Sequence, residues 1–197
     1  MASILKVDTI QDQSGNNIIN ENADTITIGA SGDTITIPSG ATINLSNATQ
    51  TGVGGTNTPA FYAYQTNQQN VDSSTATIVT LDTELFDTDN AFNTSTSQFV
   101  IPTGKGGKYQ VSATIRADAT WSASSQFNVY VTLNGATKLY GSNDMSASSG
   151  NSASVSGIIA ASAGDTLEMR VFHNEGGQEG MQPGESSTFF TGFKLIE

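Results

Sequence analysis

The chain has 197 residues and a formal net charge of −11, from 18 acidic residues against 7 basic ones, with 13% charged residues, 20 glycines and no cysteine. Seven dispersed cations cannot build the positive stripe that phosphate neutralisation requires, which excludes nucleic acid as a ligand, and without cysteine there are no disulfides, thiolate chemistry or cysteine metal sites. Abundant Thr, Ser, Asn and Gly beside scarce Lys, Arg, Glu and Leu point to β-strands joined by polar turns, in one domain with an appendage.

Residues 1–22 form an N-terminal β arm. Ile4, Leu5, Val7 and Ile10 are apolar around Lys6 and Asp8, a pattern that suits a short strand docking against something else. Chain ends fray unless tied down, so the arm is expected either to anchor the protein or to serve as the first strand of the neighbouring repeat. No charged cap precedes a long apolar run here, which predicts neither signal peptide nor membrane insertion and synthesis in a cytosol. Sequons such as Asn44-Leu-Ser46 are then products of composition rather than glycan acceptors.

Residues 23–45 repeat themselves as Asp24-Thr-Ile-Thr-Ile28, Asp33-Thr-Ile-Thr-Ile37 and Ala41-Thr-Ile-Asn-Leu45. In extended strands Ile26, Ile28, Ile35, Ile37, Ile43 and Leu45 share one face and the threonines the other. Two or three strands of about five residues are marginal alone in water. Identical copies around a symmetry axis bury such a stripe without a second gene product, so a repeat shaft is expected; the alternative is that these strands fold back on the C-terminal domain. Residues 46–58, with Gly52, Gly54 and Gly55 and no apolar period, read as a glycine-rich linker. The loop lacks the lysine and following helix of a phosphate cradle.

The opening Ala2-Ser-Ile-Leu-Lys-Val-Asp-Thr-Ile10, the repeat units with Ile37-Pro-Ser-Gly-Ala-Thr-Ile43, and the linker Gly52-Val-Gly-Gly-Thr-Asn-Thr-Pro-Ala60 resemble fibre and appendage proteins of tailed bacteriophages, especially those infecting marine cyanobacteria. The resemblance covers about the first third of the chain. It implies a virion structural protein made in the host cytoplasm, whose arm contacts other virion proteins through Ile4, Leu5, Val7 and Ile10 and whose C-terminus points outward.

Residues 59–197 read as successive strands separated by turn signals: Phe61–Tyr64, Thr77–Leu85, Gln98–Ile101, Lys108–Ala117, a run with Phe127, Val129, Val131 and Leu133 on one face, Val155–Ala161, a run with Leu167, Met169 and Val171, and Phe189–Ile196. No window of helical length keeps an apolar period, so the chain is all-β. Phe92, Phe99, Tyr109, Phe127, Phe189 and Phe193 are the expected core aromatics.

Leu81, Asp87, Phe92, Phe99, Gly107 and Tyr109, with Ala163-Gly-Asp-Thr-Leu-Glu-Met169 and Ser187-Thr-Phe-Phe-Thr-Gly-Phe-Lys-Leu195, are spaced much like the globular head of complement component one, subcomponent q, a relative of the tumour necrosis factor fold. The chain departs from that pattern at Leu81, where the family usually has Phe, and in a turn before Tyr109 about two residues longer. The resemblance implies an antiparallel jelly-roll sandwich that assembles as a homotrimer, which would set the isoleucine stripes of the shaft around a threefold axis.

No cofactor and no catalytic set are expected, because the single histidine, His173, has only Glu175 beside it as a partner for dyad or metal chemistry. The protein is read as a binder rather than an enzyme. Asp82, Glu84, Asp87 and Asp89 crowd one stretch and are weak calcium candidates, though the ordered calcium loop is missing; a solvated acidic face is the alternative. Residues 174–185 hold four glycines, three glutamates and no strand signal, so His173, Asn174, Glu175, Gln178, Glu179, Met181 and Gln182 are candidate contacts with a host surface glycan or protein, against a neutral surface turn. Trp121 is expected to be an intersubunit plug or a sugar-stacking platform, with the plug favoured. The predicted function is a trimeric phage tail fibre or appendage with a host-binding head. Alternatives are a passive capsid or neck decoration, or a non-viral carbohydrate-binding module.

Overall fold

The structure, a computed structural model, describes residues 9–15, 17–23, 25–29, 31–43, 57–118, 126–144 and 151–196. The chain divides into two compact units, Met1–Val53 and Gly54–Glu197.

In the first unit β1 (Thr9–Gln11), β2 (Asn17–Asn22) and β3 (Thr25–Ile28) form an antiparallel sheet. The first Asp-Thr-Ile-Thr-Ile unit is therefore a strand, but it pairs with the residues just before it, Ile28 opposite Ile19. Closing a hairpin through the tight turn at Ala23, whose φ is 54°, costs less chain entropy than pairing with the next repeat. The second unit corrects the expectation of a strand: residues 33–38 belong to none. In this single chain Ile26, Ile28, Ile35, Ile37 and Ile43 are all exposed, Ile26 at 67%, and Ile10 is exposed on β1. Ile4, Leu5, Val7 and Leu45 lie outside the described residues.

The second unit comprises β4 (Ala60–Tyr64), β5 (Gln69–Asp72), β6 (Thr77–Ile78), β7 (Thr83–Asp87), β8 (Phe92–Asn93), β9 (Gln98–Val100), β10 (Gly107–Arg116), β11 (Gln126–Leu133), β12 (Ala136–Asp144), β13 (Ser152–Ala161), β14 (Thr166–His173), β15 (Gln178–Met181) and β16 (Phe189–Lys194). One sheet runs β13-β10-β16-β4-β7 and the other β12-β11-β14-β9-β8, with β6 also pairing β14. Every described pairing is antiparallel. This is the jelly-roll sandwich the sequence predicts.

The stretch Thr77–Leu85 is not one strand. Thr77–Ile78 pairs with β14 in one sheet and Thr83–Asp87 with β4 in the other, and Val79 and Leu81 are buried between them. The strands β5, β12 and β15 carry no clear alternation in sequence; β12, for example, reads ATKLYGSND and is held by its hairpin with β11.

The core lies between the two sheets. Phe61 stacks on Phe99 at 4.3 Å between ring centroids and on Phe92 at 5.5 Å, and meets Phe190 edge-on at 5.0 Å. Each such burial contributes roughly 1.5 to 3 kcal/mol. Phe92, Phe99, Tyr109 and Phe127 are buried as expected, whereas Phe189 and Phe193 are only half-buried and Phe190 takes the core position. A strand with aromatics on both faces leaves its register open to a one-residue error, and such a shift exchanges the faces. Gly192 follows from the same register: a Cβ there would lie 3.0 Å from Phe61 Cε1, Val111 Cγ1 and the Gln110 carbonyl oxygen. The longer turn before Tyr109 does not disturb pairing, because β10 runs without a register shift from Gly107 opposite Ala161 to Arg116 opposite Ser152. The Tyr109 hydroxyl donates to the Lys105 carbonyl at 2.6 Å and ties that turn down; burial and then the Asp89 charge push its pKa up to about 12.

Candidate functional site

The segment after β14 is structured. His173 is fully buried. Its Nδ1 accepts from the Glu175 backbone N–H at 3.3 Å, so Nε2 carries the proton and donates to the Val71 carbonyl at 3.0 Å. Residues 178–181 then pair with β5, Glu179 opposite Val71. At Gly180 the ends of the Gln68 and Asp118 side chains, which hydrogen-bond each other, occupy the space a Cβ would take. Met181 is buried and Glu175, Glu179 and Gln182 are half-buried, which leaves Asn174 and Gln178 as the exposed members of the predicted contact set. Asn174 Oδ1 accepts from the Gln126 backbone N–H at 2.7 Å, and Gln178 Nε2 donates to Asp72 at 3.1 Å. The expectation of a free, solvated loop around His173 is thus corrected: a glycine-rich segment with little alternation still forms a strand when another edge supplies its hydrogen-bond partners. Trp121 lies outside the described residues.

The four carboxylates proposed for calcium are separated by the tasks they perform. Asp82 accepts from the backbone N–H and hydroxyl of Thr66 at 2.9 and 2.8 Å and from Asn67 Nδ2 at 3.2 Å. Burial pushes its carboxyl up, but these bonds outweigh that and hold it below the usual range. Asp87 accepts from the backbone of Phe92 at 2.7 Å and of Asp89 at 3.2 Å, fixing the turn into β8. Asp89 pairs with Lys105 at 3.8 Å, and burial together with the Asp87 charge pushes the Glu84 carboxyl up. Among the described residues no three His, Cys, Asp or Glu side chains converge to hold a metal ion.

Two surfaces that sequence reading missed are better built. On the β10 sheet, strand pairing sets side chains in rows across the face turned away from the core: Phe86, Tyr62, Thr191, Ser112 and Ser156 in one, then Thr83, Tyr64, Phe189, Thr114 and Ser154 in the next. Tyr62 stacks on Phe189 at 5.2 Å and approaches Phe86 at 6.3 Å. Phe86 is 46% exposed, its neighbour Leu85 58%, and Ile158 on β13 57%. The rest of the face is a lattice of small hydroxyls, with Ser112 and Ser156 bonded at 2.8 Å and Thr114 and Ser154 at 3.0 Å.

On the outer face of the β14 sheet, Tyr130 lies between Tyr140 and Arg170. The tyrosine rings are 5.3 Å apart, and the Tyr140 hydroxyl donates to Asn128 Oδ1 at 3.2 Å. In the next row of the same face Glu168, 2% exposed, accepts from Gln98 Nε2 at 2.8 Å, Thr132 Oγ1 at 3.1 Å, and Arg170 Nε and Nη2 at 2.7 and 2.6 Å. Burial pushes its carboxyl up, and these bonds with the Arg170 charge more than reverse that, so it sits below its ordinary value. Charge-assisted bonds of this kind fix the position of the Arg170 guanidinium on that face.

A family model described as the C1q domain matches residues 60–195. Among solved structures the chain is similar to the globular domain of zebrafish complement 1qA protein, with a TM-score of 0.55 and 15% identity over 71% of this chain and 98% of that one. It is also similar to murine APRIL at pH 5.0, at 0.52 and 13% over 69% and 98%, and to Eiger TNF from S. frugiperda, at 0.50 and 15% over 70% and 92%. A search of curated proteins found no match.

Proposed function

This chain belongs to the C1q domain family, and on that footing we propose that it is a homotrimeric, non-enzymatic appendage of a tailed-phage particle, anchored by its N-terminal arm and binding the host cell surface through its jelly-roll head. The observation that carries the trimer is the outer face of the β10 sheet. Phe86, Leu85 and Ile158 are exposed there in a single chain, although the core needs none of them, and a closed assembly would bury the face by repeating one patch around an axis. The exposed isoleucines of the first unit ask for the same partner. Phage origin and virion location rest on the resemblance of the N-terminal third.

Trimer burial of that face leaves the outer face of the β14 sheet, with Tyr130, Tyr140 and Arg170, as the host-directed surface in place of the segment around His173. Tyrosine rings beside fixed polar groups suit stacking against a sugar face. Light-scattering mass of the purified 20.5 kDa chain should be that of a trimer, and Phe86→Asp with Phe189→Asp should reduce it to one chain without loss of β-sheet signal, since neither ring lies in the core. A single-chain mass for the unaltered protein would sink the reading. Competition of phage adsorption by purified head separates a receptor-binding fibre, which inhibits infection, from a passive decoration, which does not.

A further inference from the structure

Asn134 and Gly135 make the two-residue turn that closes the β11–β12 hairpin, with Leu133 opposite Ala136. Both have positive φ, 51° and 78°, as a hairpin turn of this kind demands. Asn134-Gly135 is the sole Asn-Gly pair in the sequence. Both residues are exposed, and a Cβ at Gly135 would meet nothing within 4 Å, so the nitrogen of Gly135 is flanked by open space.

The Asn134 side chain clasps this turn to the one entering β14. Nδ2 donates to Asp165 Oδ1 at 2.7 Å, and Oδ1 accepts from the Thr166 backbone N–H at 2.9 Å and the Thr166 hydroxyl at 3.3 Å. The orientation of the amide follows from its partners, since a carboxylate only accepts and a backbone N–H only donates. Asp165 also accepts from the Ser162 N–H at 2.8 Å. The bond from Asn134, then that from Ser162, and the Lys138 charge hold the Asp165 carboxyl below its ordinary value.

We propose that Asn134 is a self-modification site, where loss of the side-chain amide replaces the donor that clasps Asp165 with a carboxylate that repels it. The backbone nitrogen of Gly135 attacks Asn134 Cγ, and the Cγ–Nδ2 bond breaks. Ammonia leaves, carrying the proton of the Gly135 nitrogen, and a five-membered imide remains. Water opens the imide to an aspartyl or an isoaspartyl residue. Negative charge develops on Oδ1 during the attack, where the two Thr166 donors already point, and donors set in place for a developing charge stabilise it. In the product two carboxylates stand where an amide faced one, and like charges that close cannot both ionise without cost. An isoaspartyl residue also lengthens the backbone by one atom within a turn whose register Leu133 and Ala136 fix. The site belongs to the head of a single chain and is independent of the trimer.

The test follows purified full-length protein in mildly alkaline buffer by peptide mass spectrometry, beside a free peptide of residues 130–138 as the unfolded reference. Aspartyl and isoaspartyl forms should accumulate at residue 134. If Asn134 is intact when the peptide is fully converted, the fold protects the amide and the proposal is overturned. The consequence is read in Asn134→Asp and Asn134→Ser, both of which lose the donor while only the first adds a charge. At neutral pH and low salt Asn134→Asp should melt about 3 °C below Asn134→Ser. The paired carboxyls have a raised folded pKa, so this penalty is present above that value. It should vanish as pH falls below the unfolded range of about 4, because the two groups then share a proton. Equal Tm for the two variants at neutral pH would overturn the clash with Asp165.

Discussion

Replacing Glu168 by Gln tests whether the buried polar group on the outer face of the β14 sheet holds that face together. The carboxylate is 2% exposed and is the shared acceptor for Gln98, Thr132 and Arg170. Breaking a buried ion pair by removing one partner costs about 3–5 kcal/mol. The Arg170 side chain keeps 29% of its surface in water, which puts the expected loss near the lower end, about 3 kcal/mol, equivalent to a fall of roughly 10 °C in Tm for a domain of this size. The assay is thermal unfolding at one fixed protein concentration, because self-association would make Tm concentration-dependent. Arg170→Met alone should also destabilise, and the double variant should recover much of the loss, since an apolar replacement of a whole buried pair is close to neutral. The pH dependence has a definite sign. The folded carboxyl sits below its ordinary value, so its contribution is present above the unfolded pKa of about 4.3 and is lost as pH falls through the folded value. A Glu168→Gln loss under about 0.5 kcal/mol, or a double variant no better than the sum of the singles, would refute the account.

Gly192→Ala should destabilise the head by roughly 1–3 kcal/mol, because the added methyl meets Phe61, Val111 and the Gln110 carbonyl, each at 3.0 Å; an unchanged urea midpoint would contradict the register of β16. Ile35→Asp touches a residue 59% exposed in the single chain, so it should be silent in a monomer but weaken a shaft. Limited proteolysis should then cut the N-terminal third faster while the oligomeric state of the head is unchanged, and equal cutting of both proteins would argue against a shaft.

Much of the head was legible because period-two alternation is a local property. The runs at Tyr109–Ile115, Phe127–Leu133 and Leu167–Val171 each mark a strand with one face inward, and all three form as read. Four of the expected core aromatics, Phe92, Phe99, Tyr109 and Phe127, are buried as read, but Phe61, on which the ring cluster centres, was not among them, and β16 was read one residue out. The structure of the segment proposed for binding was not legible. The segment after His173 has glycines and carboxylates that read as a solvated loop, yet residues 178–181 pair with β5, a strand about a hundred positions away whose relevance no local window reveals. The acidic stretch misled in the opposite sense: carboxylates close in sequence were taken up singly, by Thr66, by the Phe92 backbone and by Lys105.

Alternation and composition were enough to establish an all-β fold class and the positions of its long strands, because each depends only on neighbours a few residues apart. Which face of a strand is inward, as with Phe190 rather than Phe189, which segment supplies the partner of β5, and whether His173 meets water or a carbonyl depend on residues up to about a hundred positions away. Those distant groups compete for the same hydrogen bonds and core volume, and only their joint packing settles the outcome.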